Sequence, residues 1–221
     1  MRAGFDPRLY LVTDTLLCAP RSVPEVVAAA VSGGVTAVQV RDKTAGRRDL
    51  LALTRAVQDA LRPTPDVRLI VNDAVDVALL TGADGVHVGQ DDLPPADVRR
   101  LLGPDALIGV SVGSAAELDA VLALPAGTAD LVGLSPIWST PTKPDAGAAL
   151  ELDGARALAA RARAGGLLSV AIGGISAVTA AAVAGTGVDG ICVVSDICAA
   201  TDPAAAARTL RTAMAGELVA R

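Results

Sequence analysis

The segments RLIVND (residues 68–73) and GVHVGQ (residues 85–90) show the unit from which the chain is built. Each is a short apolar run, and each ends in polar or glycine-containing residues. A strand that shows no alternation of apolar and polar residues is buried on both faces, as in a parallel sheet covered by helices. The same unit recurs along the chain at Leu9–Asp14, Thr36–Lys43, Leu107–Gly113, Leu131–Trp138, Ser169–Ile175 and Gly190–Asp196. Ala- and Leu-rich segments with apolar spacing near 3.6 lie between the runs, among them Pro24–Ser32, Asp49–Leu61, Pro95–Leu102 and Gly154–Ala164. Repeated strand–helix units in this number predict an α/β fold of the (β/α)8 TIM-barrel type rather than an open doubly wound sheet. The length of 221 residues suits one such barrel over residues 1–221. The polar tails gather at the C-terminal ends of the runs, where barrels of this kind carry their chemistry.

Composition narrows the function. Only Phe5, Tyr10 and Trp138 are aromatic, and the net charge is −5. A groove for single-stranded nucleic acid needs stacking platforms and basic residues, and an anionic membrane surface needs a basic cluster. Neither nucleic acid nor membrane is therefore expected as a partner. No apolar stretch is long enough to span a bilayer. The segment Leu9–Ala19 is interrupted by Asp14 and is read as structure rather than as a targeting signal. Cys18, Cys192 and Cys198 form no C-x-x-C pair and read as reduced thiols of a cytoplasmic protein.

Four groups of residues carry possible chemistry. In Gln39-Val40-Arg41-Asp42-Lys43, strand alternation places Gln39, Arg41 and Lys43 on one face, where two cations and an amide can grip a diphosphate and a ring. Read alone, the segment is equally a solvated run of charges after a strand. Asp73, in Asn72-Asp73, and Asp92 follow neighbouring strands and can share one Mg²⁺, an ion that takes one or two protein carboxylates and completes its shell with water and phosphate. One of Asp91 and Asp92 can instead cap the helix that follows. Thr140-Pro141-Thr142-Lys143 has the hydroxyls and ammonium of a phosphate cradle, or of an ordinary surface loop. Gly173-Gly174 and Val194-Ser195 lie after the seventh and eighth strands, a recurrent position for phosphate in barrels. His87, the only histidine, cannot build a zinc cluster; it is either an orienting side chain or a ligand contact. Trp138 reads as packing under its loop.

In order along the chain, Gln39-x-Arg41-x-Lys43, Asn72-Asp73, the block from His87 to Asp92, Gly109-Val110-Ser111, the block from Pro136 to Lys143, Gly173-Gly174-Ile175 and Val194-Ser195 resemble the thiamine phosphate synthase family. The resemblance spans nearly the whole chain. It implies a transferase that joins a hydroxymethylpyrimidine diphosphate to a thiazole phosphate, in its carboxylated form, and releases pyrophosphate in a Mg²⁺-assisted dissociative substitution. It implies that Gln39, Arg41, Lys43, Asn72, Ser111 and Lys143 hold the pyrimidine diphosphate, with the Val40 and Asp42 positions inside the same binding segment. Arg41, Lys43, Lys143 and Ser111 are then the catalytic set, and Asp73 and Asp92 the Mg²⁺ ligands. Thr140, Thr142, Gly174, Val194 and Ser195 fall to the thiazole phosphate, with the Pro141 position inside the same binding segment. The chain departs from the family pattern at Gly113, where a histidine is usual, at Ser135, where glycine is usual, and at Ala74, where arginine is common. A thiazole tautomerase of the same fold is the close alternative, and a non-catalytic phosphate-binding barrel is the alternative from another class. The resemblance leaves the oligomeric state open, a homo-oligomer included.

Overall fold

The computed structural model describes residues 5–139 and 147–218. The strands are β1 (Leu9–Val12), β2 (Ala37–Val40), β3 (Arg68–Asn72), β4 (Gly85–Val88), β5 (Leu107–Val112), β6 (Leu131–Leu134), β7 (Leu168–Ile172) and β8 (Gly190–Val193). All neighbours are parallel, and β8 pairs back onto β1 to close the barrel in sequence order. The helices between them are α1 (Thr15–Cys18), α2 (Val23–Ser32), α3 (Arg47–Leu61), α4 (Val75–Thr81), α5 (Pro95–Leu102), α6 (Ala115–Leu122), α7 (Glu151–Ala164), α8 (Ala180–Ala184), α9 (Ser195–Cys198) and α10 (Pro203–Leu218). The expected (β/α)8 barrel is what the chain forms.

The strands are shorter than the apolar runs that announce them. The second run predicts Thr36–Lys43, yet β2 stops at Val40, and the sixth predicts Leu131–Trp138, yet β6 stops at Leu134. In each case the regular ladder is interrupted, although Ser135, Ile137 and Trp138 still donate their N–H groups to the Val112, Ile172 and Gly173 carbonyls. Arg41 donates its backbone N–H to Thr13 Oγ1, and Pro136 has no N–H to contribute.

Side-chain alternation divides the apolar residues into two cores. Tyr10, Val12, Ala37, Ile70, Leu107, Leu131, Val170 and Cys192 point into the barrel, and Phe5 packs against them. Leu9, Leu11, Val38, Val71, Val132 and Ile191 point outward, into the layer shared with the helices. Two of the three aromatic residues therefore serve the barrel interior. The ring of Tyr10 is fully buried, and its hydroxyl accepts a hydrogen bond from Gln39 Nε2 at 3.1 Å.

The N-terminal end of the barrel is fastened by a repeated device. The residue just before each even-numbered strand accepts a backbone N–H from the preceding strand. Thr36 Oγ1 takes Leu9, Asp84 takes Leu69, Asp130 takes Ile108 and Asp189 takes Ser169, at 2.8–3.2 Å. Each aspartate is also paired with an arginine: Arg68 with Asp84, Arg99 with Asp130 and Arg163 with Asp189. Charge at this end is thus consumed by structure, whereas the opposite end keeps its charged groups around a cavity.

Candidate functional site

A cavity of about 450 Å³ opens at the C-terminal ends of the strands, a size suited to small molecules. Its floor is apolar where Val12, Ile172 and Cys192 reach it and polar where Gln39, Asn72, His87 and Ser111 do. Burial pushes the Cys192 thiol up, so the sulfur at the floor is protonated and is no nucleophile. Such a floor suits a flat heteroaromatic ring that needs both apolar contact and directed hydrogen bonds.

One wall carries cations and carboxylates together. Gln39 on β2 and Arg41 and Lys43 in the loop just beyond it all line the cavity, as the alternation read from the sequence expects. Arg41 is steadied by a 3.9 Å contact with Asp14 and by reciprocal bonds between its backbone and Thr13 Oγ1. Lys43 Nζ donates to Asp73 Oδ2 at 2.7 Å. The side chains of Val40 and Asp42 face elsewhere. Val40 is fully buried in the outer core. The Asp42 carboxylate accepts from the Thr15 hydroxyl and from the Thr44 and Ala45 amides. Burial opposes the charge on Asp42, but these donors outweigh it and hold the carboxyl down to about 2. Asp42 is thus the organiser of the loop that presents Arg41 and Lys43.

Asp73 and Asp92 meet on this wall. Asp73 holds a left-handed backbone with φ 59°, unusual for a residue other than glycine and typical of functional sites. Its amide is fixed by the His87 carbonyl at 2.9 Å. Asp92 Oδ2 accepts the Gly89 N–H at 2.7 Å. Burial raises the Asp92 carboxyl, and contact with the Asp73 carboxylate raises it further, against the Gly89 N–H. Two carboxylates pressed together beside Lys43 fit a divalent cation, which would relieve their repulsion. No group of three or more ligating side chains occurs among the described residues, so the ion's remaining positions would go to water and phosphate. The helix-capping reading of Asp91 and Asp92 is overturned. The N-cap of α5 is Pro94, with no side-chain cap bond, because Asp92 turns back to Gly89.

The opposite wall is built by the loops after β7 and β8. Gly173, Gly174, Val194 and Ser195 all line the cavity. Gly174 has φ 71°, and a Cβ there would sit 3.1 Å from Trp138 Cβ, so the loop can pass this closely only as glycine. Asp196 accepts the Ala177 N–H at 2.8 Å and ties the two loops together. Trp138 is partly buried and packs on the outer core. Thr140, Pro141, Thr142 and Lys143 lie outside the described residues.

Gln90, Gly113 and Glu117 also line the cavity, and the sequence assigns none of them a role there. Gln90 Nε2 donates to the Ser111 carbonyl at 2.6 Å. Glu117 accepts the Gly113 N–H at 2.7 Å, beside the departure at Gly113. The pattern Ser114-x-x-Glu117 announces a capping box. Ser114 does accept the Glu117 N–H, but the carboxylate reaches one residue further back than a capping box requires. Ala74, the third departure, is fully buried at the N-cap of α4. Tyr10 is given no role by its sequence context, and the fold shows it orienting Gln39.

A closed parallel barrel with a polar cavity at the C-terminal ends of its strands has the architecture of a barrel enzyme that acts on small molecules. The family described as Thiamine monophosphate synthase matches residues 9–197, and the chain belongs to that family. It is 51% identical over 208 residues to the thiamine-phosphate synthase of Azorhizobium caulinodans, covering 94% of this chain and 95% of that protein. It is 49% identical over 206 residues to that of Chloroflexus aurantiacus, covering 93% and 92%. Thiamine phosphate pyrophosphorylase from Pyrococcus furiosus superposes with a TM-score of 0.84 at 33% identity, covering 98% of this chain and 100% of that one. A 3-hexulose-6-phosphate synthase at 18% identity and a TM-score of 0.66 shares the fold. The chain is accordingly a transferase of thiamine biosynthesis acting on small molecules. No helix among the described residues is long and apolar enough to cross a membrane.

Proposed function

We propose that the cavity holds an aminopyrimidine diphosphate and a thiazole phosphate together and joins them into thiamine phosphate. One observation carries this reading. Paired carboxylates and cations line the β2–β4 side of the cavity, and the glycine and serine loops after β7 and β8 line the side across the barrel. That spacing gives two anions their own sites, with a ring floor between.

Gln39, Asn72 and Ser111 orient the pyrimidine ring, and Arg41 and Lys43 hold its diphosphate. Asp73 and Asp92 hold Mg²⁺, which when bound neutralises charge on the leaving pyrophosphate. Lys43 is free to turn from Asp73 to a phosphate oxygen once that carboxylate is engaged. The exocyclic C–O bond breaks, and its electron pair leaves with pyrophosphate. Arg41 and Lys43 stabilise the charge that develops there. The thiazole nitrogen then donates its lone pair to the exposed carbon and forms the new C–N bond. Gly174, Val194 and Ser195 fix the thiazole phosphate, so that the nitrogen approaches along the broken bond and orientation supplies much of the rate. We assign Thr140, Pro141 and Thr142 to the same phosphate, and Lys143 to the pyrimidine diphosphate. No side chain has to act as nucleophile or strong base. The free, buried state of Cys18, Cys192 and Cys198 supports a cytoplasmic location.

The test is to mix the protein with both substrates and Mg²⁺ and to follow thiamine phosphate and pyrophosphate. Product is expected from the wild type. Asp92→Asn keeps an acceptor for Gly89 but loses a metal charge, and should need far more Mg²⁺ for the same rate. Isomerisation of the thiazole without joining, or an Mg²⁺ dependence unchanged in the variant, overturns the assignment.

A further inference from the structure

His87 and Ser111 are coupled inside the barrel in a way that the reaction described above leaves unused. The His87 ring projects from β4 into the cavity floor with 8% exposure. Its Nε2 lies 3.1 Å from Ser111 Oγ on β5. The ring occupies a niche made by two glycines. A Cβ added at Gly109 would fall 2.3 Å from His87 Nδ1, and one at Gly133 would fall 2.9 Å from Cε1. The strand register places His87 beside Gly109, and Ser111 beside Gly133, so any side chain at either glycine displaces the ring. Ser111 is also held from its other end, where Gln90 donates to its carbonyl.

A serine hydroxyl rotates freely and both donates and accepts, so alone it recognises nothing in particular. A neighbouring imidazole nitrogen fixes one of those roles and leaves the other for the ligand. We propose that His87 is a positioning residue. It sets the rotamer and the donor–acceptor polarity that Ser111 presents to the aminopyrimidine ring, and Gly109 and Gly133 are glycine in order to house it. The proposal rests on the reading of Ser111 as a pyrimidine contact.

Because His87 is the only histidine in the 221 residues, its ring nitrogens give unambiguous ¹⁵N NMR signals in the intact chain. Ser111→Ala is expected to displace the Nε2 resonance of the ligand-free protein. In steady-state assays, His87→Ala and Ser111→Ala should each lower kcat/KM for the pyrimidine diphosphate by on the order of tenfold. The KM for the thiazole phosphate should stay within about twofold of wild type in both. The double variant should be no worse than Ser111→Ala, because the two residues act as one unit. His87→Gln, whose amide reaches the same point, should recover part of the loss, and Gly109→Ala should reproduce His87→Ala by evicting the ring. An Nε2 signal unmoved by Ser111→Ala, or losses that multiply in the double variant, overturns the proposal. A wild type that forms no product would instead refute the assigned reaction, and the NMR result would still decide the coupling.

Discussion

Replacing Asp130 by alanine tests whether the two ends of the barrel are energetically separate. Asp130 Oδ2 accepts the Ile108 N–H at 2.9 Å and pairs with Arg99 Nη2 at 2.7 Å. The two side chains are only 12% and 16% exposed, so solvent cannot replace the lost partner fully. An N–H stripped of its acceptor costs about 1–3 kcal/mol, and breaking a largely buried ion pair from one side costs about 3–5 kcal/mol. Arg99 keeps the carbonyls of Gly103, Pro104 and Ala106, which favours the lower part of that range. A net loss of about 3 kcal/mol corresponds to a fall in Tm of roughly 6–12 °C for a chain of this size. Asp130→Asn keeps an acceptor oxygen and should lose about half as much. Thermal unfolding followed by circular dichroism gives the Tm, and kinetics well below the transition give the activity. Expected are a large Tm shift and an unchanged kcat/KM. A shift below about 2 °C would refute the energetic argument. Lost activity in a folded variant would refute the separation of stabilising and chemical ends.

Other expectations concern the cavity. Gly174→Ala forces a side chain into a left-handed backbone at about 1–2 kcal/mol. It should raise the KM for the thiazole phosphate about tenfold and leave that for the pyrimidine diphosphate unchanged; equal shifts in both would argue against separate anion sites. Arg41→Lys keeps the charge but loses the planar fork, so kcat/KM should fall by on the order of tenfold or more, and a neutral result would remove Arg41 from the diphosphate site. The Asp42 carboxyl is depressed from 3.8 to about 2, so its contribution to loop stability is complete above about pH 4 and is lost as the pH falls through about 2. NMR of the Thr44 and Ala45 amides should show that low midpoint in a folded sample, whereas a midpoint near 3.8 would mean that their bonds to Asp42 are not formed in solution.

The barrel and most of the cavity wall are legible along the chain, because both depend on local rules. A buried parallel strand must be apolar on both faces, and its polar residues must collect where the ladder ends. The period of two then assigns Gln39, Arg41 and Lys43 to one side without any knowledge of their neighbours. The same rule turns Asp42 to the other side but does not say what the carboxylate does there; only its bonds to Thr15, Thr44 and Ala45 make it the organiser of the loop. Contacts between elements distant in sequence emerge only when the barrel closes. Closure brings Asp73 against Asp92, commits the aspartates before β4, β6 and β8 to structure, sets Tyr10 against Gln39 and leaves a niche for His87 at Gly109 and Gly133. Joining eight strands into a ring sets which strand ends face one another across the cavity. No pattern along the chain encodes the distance between two side chains until that ring is closed.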